Sequence, residues 1–176
     1  MNQSIVIVDN LYDIPHQYHK GFFENQCIIT NETYNNLSNV VGNKIEIISA
    51  TNEVLGENQD TSVCAHLLAD WIAVIYLSLP LVSFGEFGMK FYSHRATGLE
   101  TFPTEEEKVK YNLQENDLIN VFTNHPDLWK EYGSIPAKYN RMILFHANRW
   151  HSYGKGFGQD LNTSMLYQKI IFKNGY

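Results

Sequence analysis

The chain has 176 residues, enough for one domain with a sizeable core and too few for two. Its net charge is −6 and its Lys and Arg residues form no cluster, which argues against binding to nucleic acid or to an anionic membrane. Cys27 and Cys64 are too few for a disulfide framework, and the N-terminal residues have none of the features of a signal peptide. We therefore expect a cytoplasmic protein with no membrane span.

The first third of the chain alternates between short strands and polar segments. Residues 4–9 are rich in β-branched side chains and predict a buried strand, and residues 16–25 predict a short amphipathic helix. Residues 31–43 are rich in Asn and Thr, which favours a loop. Residues 44–49 predict a second strand, followed by a polar stretch that runs through residue 60.

The rest of the chain predicts a mainly β protein. Residues 71–79 form a continuous apolar run, which is typical of a central strand covered on both faces. The following predictions are a turn at 83–88, a strand at 89–94, helices at 104–111 and 124–132, and closing strands at 141–146, 150–153 and 164–172. Many short strands joined by Gly-bearing turns indicate a double-sheet jelly roll with helices around it.

Two segments together resemble the iron(II)/2-oxoglutarate oxygenases of the small prolyl-hydroxylase-like type. The first is residues 61–77, and the second runs from residue 139 through a Gly-rich stretch to residue 172. Residues 6–15 also resemble the start of this family, a strand followed by Asp-Asn-Phe, a proline and a helix. The resemblance implies a double-stranded β-helix (jelly roll) with a few flanking helices. It also implies a dioxygenase, an oxidoreductase that uses iron(II) and 2-oxoglutarate.

The resemblance also implies a metal site. In the family, a His-x-Asp on one strand and a distant His form a facial triad that leaves open positions for the cosubstrate and oxygen. The matching triplet here is Cys64-Ala65-His66, and His151 takes the place of the distant His. Residues two apart on a strand point to the same face, so Cys64 and His66 can converge on one ion. Two imidazoles with a thiolate or a water molecule suit iron, zinc or copper.

Two other interpretations of this triplet stay open. If His66 is the first His of the motif, Leu68 falls at the carboxylate position and Asp70 is the next acid, roughly 13 Å along an extended strand. Alternatively, Cys64 is a small buried hydrophobe and His66 is a hydrogen-bonded core histidine, since free cysteines are among the most buried residues.

The cosubstrate side differs from the family at one position. The resemblance implies an Arg that pairs with the far carboxylate of 2-oxoglutarate, and Met165 stands there instead. A thioether cannot neutralise a carboxylate, so we expect 2-oxoglutarate to bind weakly or not at all. Lys169 lies on the same strand face and is a candidate replacement, or else a solvated lysine at a strand end. Tyr76, Tyr92 and Tyr167 are candidate hydroxyl donors to the cosubstrate.

Residues 91–98 resemble the family's Phe-Tyr-Arg-His-Lys-x-Thr-Gly segment, which borders the substrate mouth. The resemblance implies that His94 and Arg95 contact an anionic substrate. The simpler alternative is a strand end held by a turn at Gly98.

Three functional hypotheses follow from these observations. The first is an oxygenase-like metalloenzyme that oxidises a small molecule or a protein side chain. The second is a relative without catalytic activity that keeps the jelly roll as a binding or structural module. The third is a metal-dependent lyase or cupin-like enzyme that does not need 2-oxoglutarate.

Overall fold

Two antiparallel sheets form the body of the protein. The computed structural model describes residues 5–79, 87–113 and 126–175. The strands are β1 (Val6–Asp9), β2 (Ile45–Leu55), β3 (Trp71–Tyr76), β4 (Gly88–His94), β5 (Trp129–Pro136), β6 (Arg141–His146), β7 (His151–Ser152) and β8 (Met165–Asn174), and the helices are α1 (Pro15–Phe23), α2 (Asn31–Val41) and α3 (Glu105–Tyr111). The larger sheet has the order β1-β6-β3-β8-β2 and the smaller one β5-β4-β7. The fold is the predicted jelly roll.

Strand β3 lies at the centre of the larger sheet, as the apolar run predicts. It pairs with β6 on one side and β8 on the other, so that Val74 lies opposite both Ile143 and Lys169. Alternate β3 side chains point to the two faces of the sheet. Val74 and its same-face neighbours pack towards the smaller sheet, whereas Ile75 and its neighbours pack towards the helices. Burial on both faces explains why this strand is continuously apolar.

Helices α1 and α2 cover the outer face of the larger sheet. Helix α2 corrects the loop prediction for residues 31–43. It begins at a capping box, in which Thr30 and Thr33 exchange side-chain and backbone hydrogen bonds, and it ends at Gly42 in the left-handed conformation. Leu37 anchors the helix in the core. No helix in the described ranges is long and apolar enough to cross a membrane.

Two other sequence predictions need correction. Strand β2 extends from Ile45 to Leu55, so the segment after residue 49 that was predicted as polar and irregular continues the sheet. The predicted helix at 124–132 is wrong for its second half, because only a 3₁₀ turn at Pro126–Leu128 precedes strand β5. Residues 124–125, and residues 83–86 of the predicted turn, lie outside the described residues.

Candidate metal centre

A short antiparallel contact brings Cys64 next to His151. The Cys64 backbone amide donates to the His151 carbonyl at 2.8 Å, and the His151 amide donates back to the Cys64 carbonyl at 3.0 Å. Residues that exchange two such bonds are direct cross-strand neighbours with their side chains on one face. The Cys64 Sγ consequently lies 3.5 Å from the His151 Nε2. The sequence predicted this convergence only through the family resemblance.

His66 completes a group of three ligand atoms. It follows Cys64 by two residues, and its ring lies nearly parallel to that of His151, with 5.8 Å between the ring centroids. One ligand atom each from Cys64, His66 and His151 lies within 4.8 Å of the others. A tetrahedral ion with a metal–S bond of about 2.3 Å and a metal–N bond of about 2.05 Å would hold S and N about 3.6 Å apart. The Cys64–His151 pair already has this spacing, and the other separations, which are at most 4.8 Å, would need to close by no more than roughly 1.5 Å.

The orientation of the His151 ring leaves one nitrogen free to bind a metal. The side chain is fully buried, and its Nδ1–H donates to the Arg149 carbonyl at 2.7 Å. That bond assigns the proton to Nδ1, so the lone pair of Nε2 points towards Cys64 and the Tyr153 hydroxyl, which is 3.4 Å away. Metal-ligating histidines are commonly held by such a bond from their second nitrogen to a carbonyl.

Burial sets the protonation of the three residues. It lowers the pKa of His151 to about 3 and also lowers the pKa of His66. Burial raises the pKa of the Cys64 thiol to about 11. Both imidazoles are therefore neutral near pH 7, with lone pairs available to a cation. The thiol is protonated there, so a metal ion that binds to Cys64 must displace its proton.

The alternative register, with Asp70 as the carboxylate ligand, does not match the structure. The Asp70 carboxylate accepts the backbone amide of Asn174 at 2.9 Å and thereby holds the end of β8. The cluster contains Cys64 instead. Leu68, which falls at the carboxylate position in this register, is 82% exposed.

Lys169 lies inside the protein near the cluster. Its side chain is 20% exposed, so the solvated-lysine interpretation does not hold, and its Nζ pairs with Glu53 Oε1 at 2.8 Å. The same ammonium lies over the ring of Tyr153, 5.5 Å from the centroid. After burial, its charge is a further cause of the lowered pKa of His66. A cation thus stands beside the candidate ligands, with Glu53 as its counter-ion.

Met165 and two tyrosines lie next to Lys169 on the inner face of the larger sheet. Met165, Tyr167 and Lys169 alternate along β8 and share its inner face, and Met165 is fully buried. The hydroxyl of Tyr76 is fully buried beside Tyr167, faces the backbone amide of Met89, and donates to no acceptor within the described ranges. A buried hydroxyl without an acceptor is costly, which makes Tyr76 a candidate donor to a bound molecule.

The structure does not bring Tyr92, His94 or Arg95 to this cluster. Tyr92 packs on the opposite face of β4 from Phe91, and its hydroxyl bonds to Ser152 at 3.2 Å. His94 bonds to Thr97 Oγ1, and Arg95 Nε donates to the Trp129 carbonyl at 2.6 Å, so both hold the turn after β4. The cavity beside His94 has only about 10 Å³. The contact of His94 and Arg95 with a substrate, and of Tyr92 with the cosubstrate, stays a prediction.

Sequence reasoning missed Tyr153 and Glu53. Tyr153 lies two residues after His151 on the same predicted strand, so the period of two was a usable signal for its position. Glu53 had no such signal, because the strand prediction ended at residue 49, before the part of β2 that pairs with Tyr167.

The fold is similar to those of two proteins of known structure, SnoN and HygX. One similar structure is SnoN, a non-heme alpha ketoglutarate dependent epimerase from nogalamycin biosynthesis, with a TM-score of 0.56 and 10% identity over 98% of this chain and 77% of SnoN. HygX from Streptomyces hygroscopicus with iron bound gives a TM-score of 0.53 and 10% identity over 99% of this chain and 83% of HygX. HygX with nickel and 2-oxoglutarate bound gives a TM-score of 0.50 and 8% identity, covering 99% and 84%. At these identities the similarity shows the fold alone.

The sequence itself matches a family model over more than half of the chain. Residues 60–154 match the model of DUF6445, a family of unknown function, and this stretch contains all three candidate ligands. The chain belongs to the DUF6445 family. No curated protein matches the sequence.

Proposed function

We propose that the chain is an oxygenase-like metalloprotein in which Cys64, His66 and His151 bind one metal ion. The observation that carries the proposal is the convergence of three ligand atoms within 4.8 Å, around a His151 Nε2 whose lone pair is directed at the cluster. The reaction we propose is a hydroxylase-type oxidation of a small molecule or a protein side chain. The similarity to the folds of SnoN and HygX supports this choice of chemistry.

The donor set fits a divalent transition metal such as iron(II). Both imidazoles are neutral, and thiolate and imidazole ligands together are compatible with iron and with zinc. Iron(II) with 2-oxoglutarate, when bound, activates oxygen for the oxidation of C–H bonds. The chain's own part would be to hold the ion with three residues, to leave its remaining positions open, and to exclude water with the surrounding aromatic side chains.

The residues near the cluster fit an anionic cosubstrate at Lys169 and not at position 165. Met165 is fully buried and carries no charge, so it offers nothing to a carboxylate. Lys169 would attract the far carboxylate, and Tyr76 would donate the hydrogen bond for which it has no acceptor among the described residues. Glu53 competes for Lys169, which weakens the binding of any anion. We therefore propose weak binding of 2-oxoglutarate through Lys169.

A second candidate function is a jelly-roll module without catalytic activity. The specific observation in its favour is that His66 and Met165 stand where the oxygenases that the sequence resembles have their carboxylate ligand and their Arg. This candidate predicts no stoichiometric metal binding and no response to 2-oxoglutarate. The neutral, oriented ring of His151 favours the metalloprotein.

Calorimetric titration with iron(II) under anaerobic conditions, followed by 2-oxoglutarate, tests the proposal. The unmodified protein should bind one equivalent of metal, and His151→Gln should bind at least a hundredfold more weakly. His16→Gln is the control, because His16 is exposed on α1 and lies outside the cluster. Equal metal binding by the two variants would overturn the metal site. Metal binding without any heat from 2-oxoglutarate would remove the cosubstrate from the proposal and keep the site.

The cellular setting is also a proposal. We propose that the protein works in the cytoplasm as a single domain, without nucleic acid or membrane as a partner. The free thiols of Cys27 and Cys64 support a reducing compartment.

A further inference from the structure

We infer that the substrate is an uncharged, largely apolar small molecule that binds in a cavity at His66. This inference rests on the proposed function, because it takes the His66 ring as a metal ligand. The cavity has a volume of about 280 Å³. His66 forms part of its wall, and large aliphatic residues form much of the rest, namely Ile48, Leu67, Leu68 and Ile171.

The rim of this cavity concentrates exposed apolar side chains. Leu68 is 82% exposed, Leu67 55% and Ile48 48%, and the other large exposed hydrophobic side chains within the described ranges do not line the cavity. Single exposed apolar residues are ordinary, whereas several around one concave surface mark a binding site. Among the described residues, no acidic or basic side chain apart from His66 lines the cavity. The lining therefore selects uncharged, apolar molecules.

The cavity also adjoins the candidate metal centre through His66, which belongs to both. Ile171 lines the cavity, and Lys169 lies two residues further along the same inner face of β8, about 6.6 Å away along the strand. Lys169 does not line the cavity, so an apolar molecule that contacts His66 there would leave the proposed cosubstrate position at Lys169 unoccupied.

The volume limits the size of the molecule. A cavity of about 150 Å³ lined by aliphatic side chains holds one benzene molecule. A cavity of about 280 Å³ therefore suits roughly eleven non-hydrogen atoms, the size of a bicyclic aromatic compound. A second copy of the chain is the other occupant to consider. The volume of about 280 Å³ and the position of His66, a candidate metal ligand, in the wall favour the small molecule.

Fluorine NMR with 5-fluoroindole as the probe tests the inference on the metal-loaded protein. The probe should bind to the protein loaded with zinc or with cobalt(II), and only cobalt(II), which is paramagnetic, should broaden the fluorine signal strongly. 5-Fluorotryptamine, of similar shape but with an ammonium group, should bind at least tenfold more weakly. Binding without broadening by cobalt(II) would overturn the link between the cavity and the metal centre.

Matched variants on strand β2 identify the binding surface. Ile48→Gln should weaken binding of 5-fluoroindole at least fivefold, whereas Val54→Gln should leave it unchanged. Val54 lies on the same strand, is 42% exposed against 48% for Ile48, and does not line the cavity. Equal affinities in the two variants, or no binding by the unmodified protein, would overturn the inference. A concentration-dependent dimer in sedimentation that Ile48→Gln abolishes would assign the surface to a second copy of the chain.

These measurements distinguish a failure of this inference from a failure of the proposed function. Metal content is measured on the same samples. If the protein binds no metal, the proposed function fails, and the binding of 5-fluoroindole with its loss in Ile48→Gln still decides whether the cavity takes an apolar molecule.

Discussion

Replacing Cys64 by Ser should weaken zinc binding by about 100- to 1000-fold at pH 7.5. Serine keeps the size of the side chain but removes the sulfur that lies 3.5 Å from His151 Nε2. Structural zinc sites with four ligands bind with about 10–16 kcal/mol, so one ligand contributes about 2.5–4 kcal/mol. At about 1.4 kcal/mol per factor of ten, the loss is two to three powers of ten in affinity.

The pH dependence gives the same variant a second signature. The Cys64 thiol has its pKa raised to about 11, so below that pH one proton must leave when the metal binds. The lowered pKa values of His66 and His151 leave both rings neutral from pH 7 upwards, so they release no proton. The apparent zinc affinity of the unmodified protein should therefore rise about tenfold per pH unit between pH 7 and pH 9. The affinity of Cys64→Ser should stay nearly constant over this range.

Competition with a chromophoric chelator at pH 7, 8 and 9 measures both effects. Cys27→Ser is the matched control, since Cys27 is the other free thiol, its pKa is also raised by burial, and it lies outside the cluster. An unchanged affinity and an unchanged pH slope in Cys64→Ser would refute the assignment of Cys64 as a ligand.

Three further predictions concern stability. Met165→Arg should lower the melting temperature, because a guanidinium replaces a fully buried thioether. Added 2-oxoglutarate should raise the melting temperature of this variant more than that of the unmodified protein. Equal shifts of the two proteins in thermal scans would contradict this prediction. Hydrogen bonds from Arg141 hold the pKa of Asp9 well below its usual range, so Asp9 contributes stability above pH 4 that is lost at lower pH. In urea titrations, Asp9→Asn should lower the free energy of unfolding by about 1 kcal/mol at pH 7 and by much less at pH 2. Equal losses at the two pH values would disprove the pairing. In the same titrations, Gly154→Ala should lower the free energy of unfolding more than Gly98→Ala. Both glycines have a positive φ, but only at Gly154 would an added Cβ meet a backbone carbonyl of β4. Equal losses in the two variants would refute the close approach.

The jelly roll was predictable because its central strands carry strong signals. The apolar run that became β3 needs burial on both faces, and only a central strand provides it. Helix α2 was not predictable from its composition, because Asn and Thr favour loops unless a cap and a core contact stabilise the helix. Thr30 and Leu37 provide these, and the packing of Leu37 depends on the tertiary structure.

The candidate centre was predictable in its members and not in its surroundings. The family resemblance identified Cys64, His66 and His151, and the structure brings their ligand atoms together. Neither the pairing of Lys169 with Glu53 nor the bond that orients His151 has a sequence signal. The first pair is joined across two neighbouring strands, and the second bond uses the backbone carbonyl of Arg149, which any residue would supply.

The electronic spectrum of the protein loaded with one equivalent of cobalt(II) tests the metal centre most directly. Cobalt(II) bound by Cys64, His66 and His151 should give intense visible bands of a four-coordinate ion and a sulfur-to-cobalt charge-transfer band in the near ultraviolet. The charge-transfer band should vanish in Cys64→Ser and remain in Cys27→Ser. A spectrum of hexaaqua cobalt(II) in the unmodified protein would contradict the proposed metal centre.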